Sequence, residues 1–110
     1  MKHVYLAAPY GKESINVLHA IDMAEEIQEN VSDVVVFLPH LYHYYAIFHP
    51  YHSEKHWLDI DLAWLAKCDC IYRMPGKSDG ADIEVTRAIM LGLPVFHNMA
   101  DLIKWSKEER

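Results

Sequence analysis

Two carboxylates stand where apolar side chains are expected. From Ser78 or Asp79 to about Leu91 the chain reads as a helix closed by Gly92, and Ala81, Glu84, Val85, Ala88 and Leu91 share one of its faces. Glu84 therefore sits among small apolar residues on the side that should be packed. Asp61 repeats the pattern in a preceding helical stretch, on the side of Trp57, Ile60, Trp64 and Leu65. Each acid alone reads equally well as a rim residue reaching solvent past a loosely drawn stripe. Two of them, on helices flanking one crevice, point to a site where carboxylates act as nucleophile, acid or base. A buried pair is costly unless one member is protonated or both bind something. Glu84 also falls in the first turns of its helix, where the dipole favours the ionised form that a nucleophile requires.

Three further groups have the residue types for chemistry. Asp79 and Asp82 extend the acidic set, to which Tyr5 on the first strand is added. Ser78, Asp79 and Gly80 form a turn that doubles as a helix start, where free N–H groups suit either a plain N-cap or a single phosphate. The Gly76–Ser78 run GKS resembles the end of a P-loop, but the upstream glycine and four-residue gap are absent, which excludes a nucleoside triphosphatase of that kind. Finally, His40, His43, His49, His52 and His56 crowd one segment. Their irregular spacing among Tyr and Pro lacks a zinc-ligand signature, so no metal and no cofactor are expected, and polar packing or ligand contact accounts for them.

The elements that must position these groups alternate. Val4–Ala8, Val34–Pro39, Cys70–Met74 and Leu93–Phe96 read as strands, the second a β-branched run of the kind buried on both faces. Helices are expected over Ser14–Gln28, Glu54–Lys67 (capped by Ser53), the Glu84 stretch and Met99–Lys107, with a loop at Tyr10–Ser14 and loop or short helical turns at His40–His52. This order predicts an α/β fold: a single doubly wound, flavodoxin- or Rossmann-like parallel sheet of four or five strands, with helices on both faces. Ligands in such sheets bind beyond the carboxyl ends of the strands. That gathers Pro9, Tyr10, the Tyr/His segment and the Ser78–Glu84 turn around one crevice.

The whole chain sets bounds. Its 110 residues predict one domain over 1–110, and 52% hydrophobic content suffices for a core without disulfides. A formal charge of −6 with no basic run argues against nucleic acid as a partner. No signal peptide or long apolar run is present, so no membrane partner is expected. Cys68 and Cys70 are too close together to staple a scaffold, and a reduced pair in the cytoplasm is the expectation.

Three runs carry a resemblance. VYLAAPY at the start, DLAWLAKCDCIYRMPG in the middle and SDGADIEVTRAIMLGLPVF after it resemble the nucleoside 2-deoxyribosyltransferase superfamily, which includes deoxynucleoside 5′-monophosphate N-glycosidases and small phage and bacterial domains of unassigned role. The resemblance implies that Glu84 is the nucleophile, Asp61 the acid assisting at base or sugar, and Tyr5 the residue that positions the nucleophile. It implies substrate contacts from Pro9, Tyr10, Ser78, Asp79 and Gly80. Ser78 stands where monophosphate-cleaving members keep a phosphate-contacting serine; Asp79, adjacent, stands near the acid of members acting on free nucleosides. The first loop lacks the glycine many members carry, and the 40–52 segment matches nothing alignable, which leaves base preference open.

The implied reaction is cleavage or transfer at the N-glycosidic bond of 2′-deoxyribonucleosides through a covalent glycosyl–glutamate ester, with water or a second base as acceptor. The alternatives are a monophosphate N-glycosidase, a non-catalytic nucleotide-binding module on the same fold, and a metal-dependent hydrolase built on the His segment. A nucleoside or nucleotide is the expected partner. Trp57, Trp64, Trp105 and the Tyr-rich segment exceed what one short sheet needs to cover itself, which together with the resemblance predicts a homodimer or higher homo-oligomer.

Overall fold

A computed structural model describes residues 1–11 and 13–108. Four parallel strands, β1 (Lys2–Ala7), β2 (Val34–Phe37), β3 (Cys70–Arg73) and β4 (Val95–Phe96), form one sheet in the order β2-β1-β3-β4. Four helices join them, α1 (Ser14–Asn30), α2 (Tyr42–Phe48), α3 (Glu54–Leu65) and α4 (Asp79–Met90), and α5 (Met99–Ser106) follows β4. The architecture is the doubly wound α/β fold that the alternation predicts. Within the Tyr10–Ser14 connection, Lys12 lies outside the described residues.

Side-chain alternation along the strands builds two cores. Val4, Leu6, Cys70 and Tyr72 face Ala20 and Ile27 of α1 and Leu102 and Trp105 of α5. Tyr5, Ala7 and Ile71 face Leu65 of α3 and Ala81 and Ala88 of α4. Register aligns Phe37, Tyr5, Ile71 and Val95 in one row across the second face. Small Ala81 and Ala88 let α4 approach this row closely, so a longer side chain between them on the same face must run along the sheet.

Local signals behave as the residue types dictate. Ser53 Oγ accepts from His56 N, and Ser78 Oγ from Ala81 N, each closing a helix start at 3.1 Å. Gly92 ends α4 with φ at 76°, a left-handed conformation that favours glycine. Every strand is shorter than expected at one end: β1 ends at Ala7, β2 at Phe37 and β3 at Arg73, and β4 begins at Val95. Ala8 and Met74 fall just outside their strands, although Met74 N still donates to Ala7 O at 2.8 Å. Leu91, placed by spacing on the inward face, caps α4 instead and is exposed. The segment after β2 forms a 3-10 turn (Pro39–Leu41) and α2, as its lack of strand pattern anticipates.

The β2-β1-β3 order makes the chain leave β1 toward one edge and return toward the other. The crevice this creates lies at the carboxyl ends of β1 and β3. Pro9 ties its rim together. Its carbonyl accepts from His40 Nε2 at 2.9 Å, and its ring lies against Gly76, where an added Cβ would meet Pro9 Cγ at 2.9 Å.

Candidate active site

Tyr5 and Glu84 meet under α4. The fully buried Tyr5 hydroxyl donates a hydrogen bond to Glu84 Oε2, and Glu84 is only 6% exposed. The β1 register fixes Tyr5 on the α4 face, and the spacing of Ala81, Glu84 and Ala88 aims the carboxyl at it. Glu84 therefore occupies the inward position that its place among apolar residues predicted.

Asp61 is partly buried on α3. Its charge raises the proton affinity of Tyr5, Tyr10 and Glu84, which sets it among all three. It acts on Tyr5 and Glu84 through space; only Tyr5 bonds Glu84 directly among the described residues. The sequence thus brings Tyr5, Asp61 and Glu84 into one cluster, from β1, α3 and α4.

The electrostatics differ from the dipole argument. Burial pushes the Glu84 carboxyl up to about 8; the Tyr5 hydrogen bond pulls it down, the Asp61 charge raises it, and the Arg73 charge lowers it. Burial pushes Asp61 up to about 7. Desolvation outweighs the helix dipole because the dipole's stabilisation of an anion amounts to about 1 kcal/mol, while removing a carboxylate from water costs several. Near neutral pH the resting pair holds a proton. Tyr5 is driven far above its ordinary range, first by burial and then by Glu84 and Asp61, so it stays a phenol and a donor.

The remaining expected contacts spread along the rim. Tyr10 is half-buried; its hydroxyl bonds His43 Nδ1 at 2.7 Å and its ring meets His40 edge-on at 5.5 Å. Ser78 caps α4, six residues and about 9 Å of helix axis from Glu84. Its Oγ is engaged as an acceptor, and the hydroxyl proton is left to donate. Asp79 and Gly80 are exposed in the first turn of α4, with open space where a Gly80 Cβ would stand.

Arg73 escapes the sequence reading, and His40 figures in it only as one of a histidine cluster. Arg73, 9% exposed at the end of β3, bonds Gly76 O at 2.9 Å and Asp82 Oδ1 at 3.0 Å, and donates to Met74 O. A charged residue ending an otherwise apolar buried strand was its available signal. His40 is 4% exposed, and burial lowers its proton affinity. Its bond to Pro9 O makes Nε2 the protonated nitrogen, a role no spacing rule announces. The other histidines pack against rings: His52 stacks on His56 at 4.0 Å and meets Trp57 at 5.5 Å. Among the described residues, no three His, Cys, Asp or Glu side chains are grouped to hold a metal ion. No described helix is long and apolar enough to cross a membrane. Cys68 and Cys70 are both buried.

No protein-family model and no curated protein match the sequence. Solved structures do. The 2-deoxyribosyltransferase of Leishmania mexicana superposes with a TM-score of 0.62 at 18% identity, over 86% of this chain and 62% of that protein. The chain thus spans under two thirds of that enzyme's length. The 2-deoxyribosyltransferase of Bacillus psychrosaccharolyticus superposes with a TM-score of 0.59 at 19% identity, over 92% of this chain and 90% of that one. The chain shares its fold with the 2-deoxyribosyltransferases, as the resemblance in its three sequence runs implied.

Proposed function

We propose that residues 1–110 form one nucleoside 2-deoxyribosyltransferase-like domain that cleaves or transfers at the N-glycosidic bond of 2′-deoxyribonucleosides. The observation that carries this reading is the buried Glu84 carboxyl held by the Tyr5 hydroxyl with Asp61 beside it. The shared fold with 2-deoxyribosyltransferases, one described as a biocatalyst for nucleoside synthesis, supports it. In the reactive form the proton shared by the pair has passed from Glu84 to Asp61; Glu84 Oε attacks the anomeric carbon as the carbon–nitrogen bond breaks, and Asp61 gives that proton to the departing base. The resulting glycosyl ester is opened by water, giving hydrolysis, or by a second base, giving transfer; the Asp61 carboxylate takes the proton of the incoming water or base, and Glu84 leaves as carboxylate. Tyr5 holds the carboxylate oxygen that is not attacking. Pro9, Tyr10, Ser78, Asp79 and Gly80 form the substrate-facing rim.

A 5′-monophosphate substrate is the alternative, supported by the free hydroxyl proton of Ser78 at the α4 start. Incubation of purified protein with deoxynucleosides and their 5′-monophosphates, each with and without an acceptor base, is the test. Released or exchanged base is read by chromatography. Base release that Glu84→Ala abolishes is the expected result. Equal release by wild type and Glu84→Ala would refute the nucleophile. No release from any substrate, with retained ligand binding, would make the chain a nucleotide-binding module.

The working unit is proposed to be a homo-oligomer joined through α2. That helix buries none of its residues, and Tyr44, Ile47, Phe48 and Tyr51 are exposed around it. Residues 34–53 contain no Asp, Glu, Lys or Arg, so the −6 charge lies elsewhere and two copies meet here without like-charge contact. Sedimentation at micromolar concentration should give a dimer or larger for wild type and monomers for Phe48→Glu. A monomeric wild type would overturn it.

A further inference from the structure

We propose that Arg73 is a positioning residue for Glu84: its buried guanidinium ties the turn after β3 to the first turn of α4 and so fixes where the Glu84 carboxylate is held. The inference rests on the reading of Glu84 as the nucleophile, but its geometry is independent of any substrate.

Arg73 lies on the same face of the sheet as Tyr5, Ala7 and Ile71, paired in register with Ala7. A guanidinium there has left water and must be matched by acceptors. Three are supplied, all local: Met74 O, Gly76 O and Asp82 Oδ1. The first two fold the Met74–Gly76 turn back over the strand end. The third reaches α4 one turn beyond Ser78. Between these anchors sit Gly76, with φ at 114° against the Pro9 ring, and the Ser78 cap. This turn joins β3 to α4, so it helps set the direction of the helix, together with the packing of Ala81 and Ala88 on the sheet. Glu84 follows Asp82 by two residues, so a change in the seat of Asp82 turns Glu84 relative to Tyr5.

The planar fork matters as well as the charge. One guanidinium spans two carbonyls and a carboxylate in fixed directions, which an ammonium on a flexible stem does not reproduce. The clamp also forms part of the wall of an open cleft of about 290 Å³, with Pro75, Val85 and His97. Asp82 is exposed on that side, while Arg73 is not.

The groups facing Glu84 are Tyr5 from β1, Asp61 from α3 and Arg73 from β3, with Cys68 before β3 reaching Tyr5. Of these, Arg73 is the cation, and its charge favours the carboxylate. Its two effects, direction and charge, are separable by substitution.

The experiment compares wild type with Arg73→Met, Arg73→Lys and Asp82→Ala, without substrate. The Glu84 carboxyl is titrated by carbon-13 NMR, assigned through Glu84→Gln, and amide hydrogen exchange is read at Ala81 and Asp82, whose N–H groups bond Ser78. Arg73→Met should raise the Glu84 midpoint and speed exchange at both amides. Arg73→Lys should keep the midpoint near wild type but lose the protection. Asp82→Ala, at an exposed position that does not endanger folding, should speed exchange at least several-fold. A folded Arg73→Met with an unmoved midpoint, or Asp82→Ala and Arg73→Lys with wild-type exchange, would overturn the proposal. Because neither readout needs turnover, a failed substrate panel leaves this result standing, and an unmoved titration leaves the proposed reaction standing.

Discussion

Glu84→Gln should stabilise this protein at alkaline pH. The carboxyl that would do chemistry is held where its charge is poorly solvated, with a pKa moved from 4.5 to about 8. A carboxyl whose folded pKa exceeds its unfolded value binds more protons when folded. Stability is therefore highest below about 4, falls as pH rises, and reaches its full penalty above about 8. At about 1.4 kcal/mol per pKa unit, ionising Glu84 in place costs at most about 5 kcal/mol, and relaxation and water entry reduce this to about 2–4 kcal/mol. Glutamine keeps the shape, accepts from Tyr5 and carries no charge at any pH. At pH 4 the two proteins should unfold within about 1 kcal/mol of each other. At pH 9 the variant should be more stable by about 2–4 kcal/mol, a gain of about 10 °C or more in Tm for a domain of this size. Urea unfolding at the two pH values measures the difference, and comparison with wild type cancels the titrating groups that do not interact with Glu84. A variant equally or less stable at pH 9 would show that Glu84 is ionised without penalty, and the account of its burial would be wrong.

Other outcomes follow from the same geometry. With Asp61 raised to about 7 and Glu84 to about 8, the pair keeps a single proton between those values, so kcat/KM for base release should peak there and fall on both sides; a flat profile from pH 5 to 9 would count against the pairing. Tyr5→Phe removes the donor to Glu84 and should lower kcat by about 10²-fold with KM little changed, and an unchanged kcat would dismiss Tyr5 from the reaction. Gly76→Ala forces a Cβ to 2.9 Å from Pro9 Cγ on a backbone at φ 114°, and should cost about 1–3 kcal/mol in chemical denaturation.

What the chain reveals on its own is set by local physics. Apolar residues recurring at periods of two and three to four place strands and helices, because each element must bury one face. The Ser53 and Ser78 caps and the Gly92 stop are legible for the same reason: a helix end needs a partner within three or four residues. Glu84 and Asp61 are legible as anomalies, since an acid on a packed face contradicts its neighbours. The resemblance in three runs added roles for them that periodicity could not. Tertiary structure decided the rest. Tyr5 and Glu84 are 79 residues apart, and only the strand order and register bring the hydroxyl to the carboxylate. Arg73 looked like one polar residue in a buried strand; its acceptors became visible when the turn and α4 closed around it. The charge state of Glu84 was misread from the helix dipole, because proton affinity sums burial, hydrogen bonds and charges from several elements, and no single stretch of chain contains that sum.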